Sequence, residues 1–421
     1  MSSRRTPKSV QLPEEDYPKR WRGVNPKSWQ EKTGMWAAKH HHICSYLAMF
    51  PPSLPHYFIK RFTKKGATVL DPFSGRGTTA VAAASLSRIG LCNDLNPLAV
   101  ELSKGKLSNP SLSSVTSRLD QLEQNYVPNN WSDFSNVEDR IRMIYHNSTL
   151  SQLLFLRNEL DYSQQGADSF ITAILLGSLH GGSEGFLSVS MPNTFSMSEN
   201  YIKSYIERQN LEKPKRDVFS VLRKRIQRVL SQGELPGKGT VYHEDVRNLG
   251  SVVEPGTVDL LFTSPPYLKV IKYGMYNWIR LWYLDNDSEE VDKSLDDTHA
   301  LDDYLEFMND TLRTTLPLIE PEKGFSCWVI GDVGEFNLAW AVWKLVGEKI
   351  EIENSNGEII RWKLLAIIDD RIPSNEKTTR LWKDKKGKAT SVDRILIIAP
   401  QTSNPKTRIS DPKMVWNAFE S

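Results

Sequence analysis

Short apolar runs that stop abruptly at Gly, Pro or Asp recur along this chain. Ala67-Thr68-Val69-Leu70 predicts a buried strand, Asp71 to Thr79 a glycine-containing turn, and the small-residue run Ala80–Ala84 a helix. A second strand is expected over Ile89–Asn93, ending at Asp94. Val258-Asp259-Leu260-Leu261-Phe262 reads as another buried strand, cut off by Thr263-Ser264-Pro265-Pro266-Tyr267. Phe325–Asp332 is a further strand, and Leu364–Ile368 with Arg394–Ile398 make a closing pair. Helical patterns fall at His56–Phe62, Ser148–Leu160, Phe170–Gly177 and the aromatic Tyr273–Leu284. Strands alternating with helices predict an α/β, Rossmann-like fold.

The first turn has a specific chemistry. Gly75 and Gly77 let a ligand approach the backbone, and Asp94 follows at the roughly twenty-residue spacing that suits a ribose hydroxyl pair. Ala80 replaces the third glycine of a dinucleotide site, and Thr78-Thr79 replaces the Lys-Ser/Thr of a phosphate loop. Asp71 at the strand end repels a pyrophosphate and attracts an ammonium group. An adenosine ligand with a cationic amino-acid tail fits, and S-adenosylmethionine is that molecule.

The second turn is rigid. Consecutive prolines fix φ and remove donors, so the ladder stops and nearby carbonyls stay free. Tyr267 then projects from a stiff platform on which a flat ring can stack. Such a loop suits an exocyclic amine, which needs acceptors for its protons and an aromatic face beneath its ring.

These two segments together resemble the amino-methylating DNA methyltransferases, which modify cytosine N4 or adenine N6. Asp71-Pro72-Phe73-Ser74-Gly75-Arg76-Gly77-Thr78-Thr79 and Thr263-Ser264-Pro265-Pro266-Tyr267 carry the resemblance. Phe50-Pro51-Pro52-Ser53-Leu54-Pro55 is similar to the family's segment that holds the methionine end of the cofactor, and Val241–Asp245 resembles a third strand whose terminal acid, Asp245, contacts the adenine amine. The resemblance covers residues 45–100 and 240–285, and implies a class I S-adenosylmethionine-dependent methyltransferase sheet. It implies a cofactor site of Phe50, Ser53, Asp71, Phe73, Gly75, Gly77, Thr78, Thr79, Asp94 and Asp245. The catalytic set is Ser264, Pro265, Pro266 and Tyr267. Within the family the Ser-Pro-Pro-Tyr form goes more with cytosine N4, and the Asp- and Asn-Pro-Pro-Tyr forms with adenine N6. The leading reading is therefore cytosine-N4 methylation of a base flipped out of double-stranded DNA, with adenine N6 second. An RNA base methyltransferase and a catalytically silent DNA-binding protein are the further alternatives.

Composition adds boundaries. Cytosine-C5 chemistry needs a cysteine nucleophile, usually just after a proline. The three cysteines Cys44, Cys92 and Cys327 follow Ile43, Leu91 and Ser326, and Cys92 and Cys327 read as inert core thiols. Neither a disulfide framework nor a metal site is expected, and His40-His41-His42 reads as a solvated or DNA-facing cluster. A net charge of +2 over 421 residues is neutral on nucleic acid, so charge distribution matters more. With no membrane-length apolar run and no secretory signal, the expected setting is the prokaryotic cytoplasm, nucleoid-associated on DNA. A cognate restriction endonuclease or defence-system proteins are candidate partners by resemblance alone.

Four segments follow: a polar flexible arm over 1–32, a cofactor-binding half over 33–107, a mainly helical insertion over 108–240, and a catalytic half over 241–421. The insertion is assigned to target recognition. Its basic stretch, with Lys213, Lys215, Arg216, Arg223 and Arg225, is expected to contact DNA, as is Arg380 in the later basic segment.

Overall fold

Strand β1 (Thr68–Asp71) is followed by β2 (Ile89–Asn93), β3 (Lys238–Tyr242), β4 (Leu260–Thr263), β5 (Phe325–Gly331), β6 (Glu351–Glu353), β7 (Ile359–Asp370) and β8 (Asp393–Pro400). They form one sheet in the order β3-β2-β1-β4-β5-β8-β7-β6 in the computed structural model. Residues 6–32, 38–47, 50–268, 272–295, 300–354, 356–371 and 392–409 are described. Strands β1 to β5 pair in parallel, and β8 runs antiparallel between β5 and β7. A five-strand parallel block, with β8 reversed between β5 and β7 and β6 reversed at the edge, makes a mostly parallel α/β sheet, as expected from the sequence.

The strands alternate their side chains between two apolar layers. Leu70, Leu261, Trp328, Ile330 and Leu396 face the helices Leu301–Thr315 and Leu338–Leu345. Val69, Leu260, Phe262, Cys327 and Ile395 face the helix Ser53–Phe62. The helix Thr78–Ser85 presses so closely on β2 that a Cβ on Gly90 would stand 2.7 Å from that of Ala80, so position 90 has room only for hydrogen. The third strand begins earlier than Val241, because its register is set by β2: Ile89 pairs with Lys238 and Asn93 with Tyr242. Asp245 therefore lies beyond the strand.

Two expectations need correction. The polar arm is a packed strap over residues 6–32: Trp29 has no exposed surface and Trp21 stacks on Phe62 at 4.6 Å. Trp340 Nε1 donates to the Pro13 carbonyl and Ile367 N to that of Pro18, both at 3.0 Å. Burying these large rings outweighs the polar residues between them. His40 and His41, expected in solvent, are buried. Burial holds both rings neutral, taking His40 down to about 4 and His41 well below its ordinary value.

The insertion is helical as expected, with helices at Leu112–Asn125, Asn147–Glu159, Ala167–Leu176, Glu199–Gln209 and Val218–Leu230. It shares one core with Tyr46, Leu98 and Leu102 of the cofactor half and with Trp278 and Trp282 of the helix Trp278–Tyr283. The helix Pro97–Leu107 crosses Ala167–Leu176 so tightly that a Cβ on Gly105 would meet the Ser169 carbonyl at 2.4 Å. All three cysteines are buried, and burial pushes the Cys92 and Cys327 thiols up, which fits unreactive core positions.

Candidate active site

Strand β1 lies between β2 and β4, with Val69 opposite Leu260 and Leu70 opposite Leu261. The loops leaving β1 and β4 therefore emerge side by side at the C-terminal edge, where open α/β sheets bind their ligands. Two hydrogen bonds join them. Thr263 Oγ1 donates to Asp71 Oδ1 at 2.6 Å, and Thr79 Oγ1 donates to the Phe262 carbonyl at 3.1 Å.

Asp71 is buried and also accepts from Phe73 N at 3.2 Å. Burial raises its carboxyl to about 7, against the opposing hydrogen bonds from Thr263 Oγ1 and Phe73 N. Gly75 and Gly77 take the left-handed conformation (φ +50° and +78°), which turns the chain into the helix beginning at Thr78. Gly75 N donates to Asp94 Oδ2 at 2.8 Å and Asn96 N to Asp94 Oδ1 at 2.9 Å. Asp94 is half-buried, and its desolvation lifts the carboxyl to about 6, against the hydrogen bonds from Asn96 N and Gly75 N.

Arg76 turns away from the loop. Its guanidinium donates to the carbonyls of His41 at 2.8 Å and Cys44 at 3.1 Å, fastening residues 38–47 beside the turn. The turn thus presents two protein-enclosed carboxylates, with its own arginine directed elsewhere. That donor set suits the cationic tail of S-adenosylmethionine and opposes a pyrophosphate. The residues present fit that group.

On the β4 side, Ser264 Oγ donates to the Val329 carbonyl at 2.9 Å. The serine proton is spent on β5, so its oxygen is left as an acceptor. Tyr267 is half-buried, and burial with the nearby Asp393 carboxylate brings its hydroxyl up to about 12, so it stays protonated. Pro265 is buried and Pro266 half-buried beneath this loop.

The remaining expected residues divide. Phe50 meets Phe262 edge-on at 5.6 Å, and Phe73 packs on Phe307 at 5.6 Å. Thr78 is buried at the start of its helix. Ser53 is buried and its hydroxyl donates to the Trp29 carbonyl, so it ties the strap to the helix Ser53–Phe62. Asp245 accepts both Nε and Nη2 of Arg247, which holds its carboxyl below the usual range. An adenine amine there has to share that carboxylate with Arg247.

The basic stretch also divides. Arg225 donates to the Gly177 and Gly185 carbonyls and covers the Phe186 ring at 4.6 Å, and Arg223 pairs with Asp120 and Glu123. These two arginines brace the insertion. Lys213 and Lys215 are exposed, although Lys213 Nζ donates to the Arg142 carbonyl, and Arg216 is half-buried. Arg380 lies outside the described residues. Among the described residues no cluster of His, Cys, Asp or Glu is arranged to hold a metal ion, and no helix is long and apolar enough to cross a membrane.

Sequence reasoning gives no role to Tyr46 or Asn96, whereas Thr263 stands in the Thr263–Tyr267 loop motif and Tyr273 is a candidate border of the base pocket. Asn96 Nδ2 donates to Tyr46 Oη at 3.0 Å while its Oδ1 caps the helix Pro97–Leu107. The pair Asn96-Pro97 is a cap-and-first-turn signature that marks this position, whereas Tyr46 carries no periodic signal.

Residues 5–105 match the N6/N4 methyltransferase family model, described as DNA methylase. The Type II beta methyltransferase M.BslI of Bacillus sp. (strain NEB-606) is 36% identical over 92 residues, which is 18% of this chain and 10% of that protein. The Type II methyltransferase M.BglI of Bacillus subtilis is 52% identical over 56 residues, 13% of this chain and 16% of that one. M.MjaII of Methanocaldococcus jannaschii, also a Type II methyltransferase, is 32% identical over 108 residues, 22% of this chain and 20% of its own. The chain thus spans between a tenth and a fifth of the curated relatives' lengths. Among solved structures, the rRNA methyltransferase aviRa of Streptomyces viridochromogenes aligns over 89% of this chain and 93% of its own at 11% identity. Its TM-score of 0.34 is too low to add to the strand order. Residues 5–105, which carry the cofactor turn, are thus similar to the amino-methylating DNA methyltransferases.

Proposed function

We propose that this chain transfers a methyl group from S-adenosylmethionine to the exocyclic N4 amine of cytosine in double-stranded DNA. The observation that carries the reading is the 2.6 Å bond from Thr263 to Asp71, which holds the acidic glycine turn against the Ser-Pro-Pro-Tyr loop. The cofactor, when bound, supplies an electrophilic methyl on a positively charged sulfur. Asp71 and Asp94 receive its cationic tail and ribose, and Gly75 leaves room for close approach.

The chain's own work on the base is orientation. A paired cytosine hides its amine in the duplex, so the base swings out and stacks on Tyr267. Ser264, whose proton is already committed to Val329, accepts one amine hydrogen, and the Pro265 carbonyl accepts the other. Both bonds hold the nitrogen with its lone pair aimed at the methyl, and they strengthen as positive charge develops on nitrogen. The amine loses a proton to water after transfer.

The serine favours cytosine N4 over adenine N6, because it offers a neutral acceptor where the other form offers a carboxylate or amide. Adenine N6 stays the second reading. Exposed Lys213 and Lys215 support phosphate contact by the insertion. A companion endonuclease and a cytoplasmic, nucleoid-associated setting go with this reading. Incubation with labelled methyl donor and plasmid DNA, followed by digestion to nucleosides, tests it. Labelled N4-methylcytosine is expected. N6-methyladenine moves the assignment to the second reading, and label in RNA alone, or none, ends it.

A further inference from the structure

One buried arginine joins the insertion to both halves of the candidate site. Arg280 donates from Nη2 to the Thr194 carbonyl at 2.8 Å and to the Ser45 hydroxyl at 3.4 Å. Its Nε donates to the Leu176 carbonyl at 3.2 Å and its Nη1 to Asn277 Oδ1 at 2.6 Å. A guanidinium keeps its charge, so burying it holds these acceptors in place. Ser45 also donates to Thr194 Oγ1 at 2.9 Å, and its neighbour Cys44 supplies a carbonyl held by Arg76 of the glycine turn. On the other side lies the segment that follows Tyr267 in sequence. Ser196 N donates to the Tyr276 carbonyl at 2.8 Å, and Trp278 Nε1 donates to that of Met197 at 2.9 Å.

Phe195 stands between these anchors. Thr194 and Ser196 are fixed by backbone groups on either side of it, whereas its own side chain is half-buried. Among the described residues, the Phe195 ring is packed into none of the apolar cores. An aromatic ring that is partly wet, on a loop that is itself immobilised, is presented for contact with something apolar. The loop borders the glycine turn through Ser45, at the edge of the sheet where the target base has to arrive. A base swung out of a duplex leaves a gap in the stack, and a flat apolar side chain fills such a gap. We propose that Phe195 enters the duplex beside the target base and occupies the space that base vacates, holding it in the flipped state. The inference rests on the methyltransferase reading above and gives the insertion a part in flipping beyond phosphate contact.

Single-turnover methylation by the full chain tests this, on a duplex carrying the site that the wild type methylates in plasmid DNA. A second duplex is identical except that the nucleotide opposite the target base is abasic, so the target is already unpaired. Phe195→Ala is expected to slow methylation of the paired duplex roughly tenfold or more, and to come within about twofold of the wild-type rate on the abasic one. Phe195→Trp keeps a flat ring and is expected to keep most of the rate on both. S-adenosylmethionine affinity, measured by calorimetry, is expected to be the same in all three proteins. Should the alanine variant fail to fold, Phe195→Leu serves in the same comparison. Slowing that persists undiminished on the abasic duplex, or an alanine variant as fast as the wild type on both, overturns the wedge while leaving the methyltransferase reading intact. A wild-type chain that methylates neither duplex nor plasmid removes the reading itself.

Discussion

Replacing Asp71 by asparagine separates what the fold wants from what the site needs. The Asp71 carboxyl is raised from 3.8 to about 7, chiefly because it is buried. In the unfolded chain it ionises near its ordinary value. Between those two values the unfolded state gives up its proton and the folded state keeps it, so the native state loses stability as pH rises from about 4 to about 7. A gap of about 3 pH units at 1.36 kcal/mol per unit comes to about 4 kcal/mol by neutral pH, with the lower part of the range already spent at pH 5. Asparagine carries no charge, and its oxygen accepts the same bonds from Thr263 Oγ1 and Phe73 N. Asp71→Asn is therefore expected to stabilise the ligand-free protein, by about 2 kcal/mol more at pH 7 than at pH 5. Urea unfolding of both proteins across pH 4–9 gives the difference directly. The same change removes the anion that receives a cationic tail, so S-adenosylmethionine affinity is expected to fall. In the wild type that affinity rises with pH up to about 7 and flattens until the ligand's own amine deprotonates. A stability difference that is constant with pH would mean that Asp71 is not held protonated by burial, and would refute this reasoning.

Three other outcomes are expected. Asp94→Ala removes the acceptor of Gly75 N and Asn96 N and should weaken S-adenosylmethionine by about 1–3 kcal/mol in calorimetry, with duplex binding unchanged. Tyr267→Ala should abolish single-turnover methylation while leaving cofactor affinity within a few-fold, and Tyr267→Phe should retain most of the rate, because the ring face is what stacks. Arg225→Met should destabilise the fold by about 1.5–3 kcal/mol in urea and leave the salt dependence of duplex binding unaltered, whereas Lys213→Ala with Lys215→Ala should flatten that dependence by about one unit per lost phosphate contact.

The parallel strands were legible because each ends at a turn with its own chemistry: Asp71 to Thr79 after β1, Asp94 after β2, Ser264 to Tyr267 after β4. Their adjacency came from the family resemblance, since apolar patterning does not order strands. Tertiary packing decided what patterning left open. Trp21 and Trp29 sit among charged and polar neighbours, yet they find an apolar surface on the helix Ser53–Phe62. Three consecutive histidines look solvated until Arg76 pins their segment to the glycine turn. The basic run looked uniform in sequence, but Arg223 finds Asp120 and Glu123 on a helix about a hundred residues earlier, a pairing that local charge counting does not reveal.

The fused core of the helical region has a practical cost for anyone hoping to graft it. Lifting residues 108–240 onto another scaffold would strip cover from Leu98, Leu102, Trp278 and Trp282 and leave a greasy scar on the donor half. Under the proposed function, changing the target sequence therefore calls for point changes at solvent-facing loops and lysines, made with the helical layer left in place.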